Sequence, residues 1–221
     1  MPEVGGDRGA AVAAAVASLD FPGAEVIVLA SPHGTRTGVY RVPSGDLDAF
    51  GPRGIAAEAE PGPAGELARA WGRPVIDDKA DYGIVVPLRL LAPAAPVVAV
   101  AFAEGSEDDD GLANAVASLD PTVAFVASAN LSPGLGPRSP LPSLEGAAEA
   151  DAAVLTALRE APERAVVPPE SCAAPTLAAF GALFAGRTCE VLAYEHPFGV
   201  GYAVARSTAP VASASGPGLG E

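Results

Sequence analysis

Glu25-Val26-Ile27-Val28-Leu29-Ala30 is a β-branched and aliphatic stretch that stops at Ser31-Pro32-His33-Gly34. A short apolar run rich in β-branched residues and closed by turn residues reads as a strand buried on both faces. Such a strand needs one helical layer above it and another below. That restricts the chain to a parallel or mixed sheet sandwiched by helices. Pro96 to Phe102 and Val123 to Ala127 have the same character. In sheets of this kind ligands bind just beyond the carboxyl ends of the strands. His33, one of only two histidines in the chain, falls at that point.

The segments between these runs supply the layers. Asp7 to Leu19 is alanine-rich and reads as a helix that packs through small side chains, ended by Asp20, Pro22 and Gly23. Gly38 to Val42 and Pro74 to Ile76 read as short strands, and Pro43 to Gly62 as an irregular excursion rich in Pro, Gly and acidic residues. Pro63 to Trp71 reads as a helix closed by Gly72. Asp77 to Gly83 is a polar loop leading into a helix from Ile84 to Leu91, with Pro87 expected in its first turn. Asp109 or Asp110 is placed to cap a helix over Gly111 to Leu119. Leu144 to Ala161 and Thr176 to Phe184 have helical patterns, and Cys189 to Tyr194 and Gly201 to Ala205 read as strands. The expected fold is α/β, a single domain over residues 1–206. Its central sheet is mostly parallel or mixed and is flanked by helices on both faces. Residues 207–221 are Ser, Pro, Gly and Ala for the most part and read as a disordered tail.

One internal echo stands out. Ala15-Val16-Ala17-Ser18-Leu19-Asp20 recurs identically as Ala115 to Asp120. Each copy ends a predicted helix and precedes a buried strand that runs into a loop with Ser and Pro. Duplication and coincidence in an alanine-rich chain are both open. On either reading the two loops are expected to leave the same edge of one sheet.

Composition excludes several functions. The net charge of −14 and a pI near 4.4 argue against nucleic acid and against anionic membrane surfaces as partners. No stretch reaches the ~18 apolar residues of a membrane span, and Met1 to Gly6 has no basic region followed by an apolar run. Cys172 and Cys189 have no CxxC spacing and read as reduced core thiols of a cytoplasmic protein.

Four constellations are candidates for chemistry. His33 at a strand end is either a metal ligand or general base, or a histidine hydrogen-bonded in a turn. Glu195-His196 joins a carboxylate to the only other imidazole, and with His33 it makes the two-histidine, one-carboxylate set of non-haem Fe(II) sites. Its plainer reading is a polar hairpin turn shaped by Pro197 and Gly199. Asp81-Tyr82-Gly83 and Ser128-Ala129-Asn130-Leu131-Ser132 offer hydrogen-bonding groups at element ends, where helix capping is the alternative.

The order of these segments resembles the class III extradiol ring-cleavage dioxygenases, together with their Memo-like relatives. Ser31-Pro32-His33-Gly34 is similar to that family's strand-end segment bearing a metal-binding histidine. Asp81-Tyr82-Gly83-Ile84-Val85-Val86-Pro87-Leu88 is similar to its Asp-His-Gly-x-x-x-Pro-Leu helix start. Ser128 to Pro133 is similar to its Ser-Gly-Asn/Asp-Leu-Ser-His loop. The resemblance runs from Val26 to about Val204. It implies a metal site in which His33 matches one ligand, Glu195 is the nearest candidate for the carboxylate, and one ligand is missing; His196 is a metal candidate only through the Glu195-His196 pair above. Fe(II) or Zn is the metal such a site would take. It also implies catalytic roles for Tyr82, Asn130 and Asp81 towards a small aromatic, catecholic ligand. The departures are specific. The histidine of the second motif is Tyr82 here, and that of the third is Pro133.

The family also opens with an apolar strand delivering a further metal-binding histidine, and Pro2-Glu3-Val4 is similar to the segment just after that strand. The expectation is therefore that the functional start lies upstream of Met1, or that strand and metal were lost together. In-frame codons before Met1 decide between these. Two functions stay open: a dioxygenase-like oxidoreductase with an altered site, or a non-catalytic binding or scaffold protein, a pseudoenzyme holding no metal. A hydrolase or transferase activity is the least favoured. A homo-oligomer is compatible with either.

Overall fold

The computed structural model describes residues 9–40, 62–77, 81–93, 95–109, 111–119, 122–136, 139 and 141–207. At its centre lies β1 (Val26–Gly34), which pairs in parallel with β4 (Val97–Ala103) on one edge and β5 (Val123–Ala127) on the other. β2 (Gly38–Tyr40) runs antiparallel to β4, and β3 (Val75–Ile76) runs parallel to β2. The sheet order is β3-β2-β4-β1-β5. The sheet is thus mixed with a parallel core, within one α/β domain.

The pleat sorts side chains onto two faces with a period of two. Val26, Val28 and Ala30 of β1 join Val98, Val100 and Phe102 of β4 on one face. They pack beneath α2 (Pro63–Trp71), α4 (Leu112–Ala117) and α6 (Ala174–Leu183). Leu29, Ala99 and Ala101 face the other way, beneath α1 (Ala10–Ala17) and α3 (Tyr82–Leu91). Continuous apolar runs in β1 and β4 are what this double burial demands. Strands β6 (Cys189–Glu195) and β7 (Tyr202–Ser207) form a separate antiparallel pair with a register shift between Val191 and Ala193. Tyr202 and Val204 pack toward α1 and α3, whereas Ala203 and Ala205 pack toward α5 (Ala147–Glu160). Among the described residues no helix is long and apolar enough to cross a membrane.

Several element ends differ from the sequence expectation. The first strand continues through Ser31, Pro32, His33 and Gly34, so His33 sits on the end of the strand and not in a loop after it. The α3 helix starts at Tyr82, which makes Pro87 an interior residue and not a first-turn one. Its missing N–H leaves the Gly83 carbonyl without the usual helical donor. Asp109 does cap α4, accepting from Gly111 N at 3.1 Å and Ala113 N at 3.1 Å. Asp110, the 43–61 part of the excursion and residues 208–221 lie outside the described residues, and β7 extends to Ser207.

The echo is local. Ser18 and Ser118 end their helices with matching dihedrals (−87°, −8° and −89°, −5°). Each hydroxyl donates to the carbonyl three residues back, Ala15 or Ala115, at 2.8 Å. Yet α1 and α4 cover opposite faces of the sheet, so the six-residue match encodes a helix end and not a repeated three-dimensional unit. β1 and β5 are parallel neighbours, and the loops that continue from them leave the same edge.

Asp151 ties the hairpin to the sheet. It is fully buried on α5 and accepts from Ser132 N at 2.9 Å and from the Tyr194 hydroxyl at 2.7 Å. Burial first, then the hydrogen bond to Asp151 and its charge, push the Tyr194 phenol well above its ordinary value. Gly201 lies against this carboxylate, and a Cβ there would also stand 3.2 Å from Leu131 Cβ. Asp151→Ala is expected to lower the stability by about 3 kcal/mol, because two buried donors lose a carboxylate acceptor. The urea midpoint measures it, and Asp151→Asn should lose less.

Candidate ligand site at the carboxyl edge of the sheet

The alternation that puts Leu29 beneath α3 carries on to Ser31, which is fully buried. Between Ser31 and Gly34 the β1–β4 register shifts, and irregularities of this kind re-aim side chains at strand ends. Gly34 is required there, since a Cβ would stand 2.7 Å from Ala101 Cβ and 3.0 Å from the Phe102 carbonyl.

Asp81 joins this strand end to α3. As N-cap it accepts from Gly83 N and from Ile84 N, the latter at 3.3 Å. Its two oxygens also accept from the Ser31 hydroxyl, at 3.2 and 3.0 Å. Gly83 lets the helix press onto the strand: a Cβ there would run into the Ser31 hydroxyl and lie 2.8 Å from Asp81 Oδ1. The first helical residue is Tyr82, which the capping geometry places over His33. The phenol oxygen stands 3.3 Å from His33 Nε2, and the ring centroids are 5.1 Å apart with a 37° tilt. His33 is half-buried. Burial pushes its imidazole below the ordinary value, against the opposing charges of Asp81 and Glu104.

The β5 loop closes the other side. Ser128 N donates to the Ala30 carbonyl at 2.8 Å, continuing the β1–β5 ladder. The Asn130 carbonyl accepts from the Ser171 hydroxyl at 2.7 Å. Burial pushes the Cys172 thiol up, the Asn130 backbone N–H partly offsets this, and the Asp81 charge reaches the same thiol. Leu131 and Ser132 exchange bonds with Gly201 at 2.9 Å each, which fastens the loop to the hairpin. The ends of β1 and β5 and the start of α3 therefore gather on one rim.

The structure brings His33, Asp81 and Tyr82 into direct contact there, with Asn130 on the same rim. It uses Glu195 elsewhere. Glu195 Oε2 accepts from Val12 N at 3.0 Å, which serves the first turn of α1, a helix whose N-cap Gly9 supplies no side-chain cap. His196 opens the turn after β6, its ring 6.2 Å from that of Tyr194. Among the described residues no three His, Cys, Asp or Glu side chains stand together as a metal site requires, so the expected set of His33, Glu195 and His196 is not assembled. The sequence reading placed Ser128 in a hydrogen-bonding segment without singling it out, and gave Ser31 no role of its own. The signal for Ser31 was present: it extends the period-two inner face set by Ile27 and Leu29.

Two outcomes are expected. An NMR titration of His33 has its midpoint below the ordinary value of 6.5. With the folded pKa depressed, the unfolded chain binds more protons in that window, so stability falls as pH drops below about 6.5, and His33→Gln flattens the dependence. Asp81→Ala loses about 1 kcal/mol or more from the cap and also leaves Ser31 unpaired, whereas Asp81→Asn keeps most of the stability, as read by thermal denaturation. Neither the models of known protein families nor the curated proteins give a match to this chain.

Proposed function

We propose that this chain is a relative of the class III extradiol dioxygenases whose rim binds a small aromatic ligand without ring-cleavage chemistry. The observation that carries this reading is the His33–Tyr82 pair. One imidazole nitrogen, Nε2, faces the phenol of Tyr82 at 3.3 Å, on a residue that the Asp81 cap places there. Iron does not fit the described residues. His33 is engaged, Glu195 serves Val12, and no third donor stands near enough to complete a set. The family's two acid–base histidines correspond to Tyr82 and Pro133. General acid–base catalysis is worth roughly 10²–10⁴-fold, so its loss would silence the reaction even with metal added.

What remains is a binding site. Tyr82 is 41% exposed and presents an aromatic face beside a half-buried imidazole. Aromatic rings favour offset and edge-to-face pairing, which an aromatic ligand beside Tyr82 would use. Cys172 and Cys189 are free thiols, which suits a reducing, cytoplasmic setting.

Protein loaded with Fe(II) under anaerobic conditions and then given catechol in air is expected to yield no yellow ring-opened product. Metal analysis is expected to find less than one equivalent of Fe or Zn, unchanged in His33→Ala. Ordinary turnover, or a stoichiometric metal that disappears in His33→Ala, would return the chain to the active enzymes.

A further inference from the structure

Ser128 is 3% exposed, and its hydroxyl finds no hydrogen-bond partner among the described residues. The other buried polar side chains, Ser31, Ser132, Asp151 and Thr176, are all bonded. A buried hydroxyl left unpaired is costly, and in a native structure such a group calls for a cause.

The position of Ser128 supplies one. The bond from Ser128 N to the Ala30 carbonyl carries the ladder one step past the Ala30–Ala127 pair. Ser128 therefore stands beside Ser31 on the neighbouring strand, about 4.8 Å away across the sheet. Val126 packs with the core beneath α3, and alternation puts Ser128 on that same face, with Leu29 and Ser31. The unpaired hydroxyl thus belongs to the face of β1 and β5 that α3 covers, behind the rim where His33 meets Tyr82. Asp81 accepts from Ser31, Gly83 and Ile84 and makes no bond to Ser128. Among the described residues, none of the hydrogen bonds described at this rim comes from a lysine or arginine.

We propose that Ser128 is the inner hydrogen-bonding anchor of this rim site, and that it holds the amide or hydroxyl group of an uncharged ligand whose ring lies against Tyr82 and His33. The inference rests on the ligand-binding reading of the rim. An anionic group on Ser128 would stand close to the Asp81 carboxylate, which repels it. An uncharged amide or hydroxyl meets no such penalty and gives the serine its missing bond.

Benzamide and benzoate probe the site, with the His33 ring resonances as the reporter. In the wild type, benzamide is expected to shift these resonances saturably and benzoate to leave them in place. Ser128→Ala should weaken benzamide by about tenfold, the worth of one buried hydrogen bond. The ligand-free variant should melt at or above the wild-type temperature, because it discards an unpaired hydroxyl. A lower melting temperature would mean that water already satisfies Ser128, which overturns the inference. Benzamide binding that persists undiminished in Ser128→Ala, or benzoate binding as well as benzamide, overturns it too and leaves the rim site standing. No shift with benzamide in the wild type overturns the rim site and this inference together.

Discussion

Everything in this protein is arranged around the burial of β1 on two faces and its pairing along two edges. Val28 and Leu29 are both fully buried, although they point to opposite sides of the sheet. Each such side chain contributes about 1.5–3 kcal/mol relative to exposure. A strand with parallel neighbours on both sides cannot slip by one residue without turning every side chain to the wrong face. The carboxyl end of β1 is therefore held firmly, and Ser31 and His33 inherit that placement. Two chain-wide features result: helices must cover both faces, and polar groups can collect only where the strands end.

Two carboxylates then fasten the peripheral pieces to this frame. Asp81 caps α3 and binds Ser31, so the helix start and strand end share one set of bonds. Asp151, from the middle of α5, binds the backbone of Ser132 and the hydroxyl of Tyr194, joining the β5 loop to the hairpin. In both cases a glycine makes the approach possible, Gly83 in one and Gly201 in the other. A carboxylate at such a joint is occupied by its donors, so Asp81 positions Tyr82 more than it offers itself to a ligand.

Under the proposed reading, the differences from the extradiol enzymes form a coherent set. A phenol in place of an imidazole at position 82 gives His33 a hydrogen-bonding partner. Glu195 is taken up by an α-helix whose N-cap is a glycine and supplies no side-chain bond of its own. His33 and Glu195 each have a structural occupation, and the rim keeps the aromatic and hydroxyl groups suited to holding an uncharged molecule.

The sequence by itself determined the elements whose cause is local. The apolar runs of β1, β4 and β5 are legible because double burial leaves no room for polar residues. The Gly72 stop of α2 and the Asp109 cap of α4 are legible because each rests on one residue and its neighbours. The gathering of the His33, Asp81 and Asn130 segments followed from where those runs end. Tertiary structure alone decided what depends on distant partners. Tyr82 became helical because the Asp81 cap also had Ser31, fifty residues away, to bind. Glu195 turned to Val12, across 183 residues, and away from the histidines. The hairpin of β6 and β7 stands apart from the main sheet, with α1 and α3 on one of its faces and α5 on the other. Ser128 looks like any loop serine in the sequence. Only the β1–β5 ladder, which buries it beside Ser31 with no partner among the described residues, sets it apart.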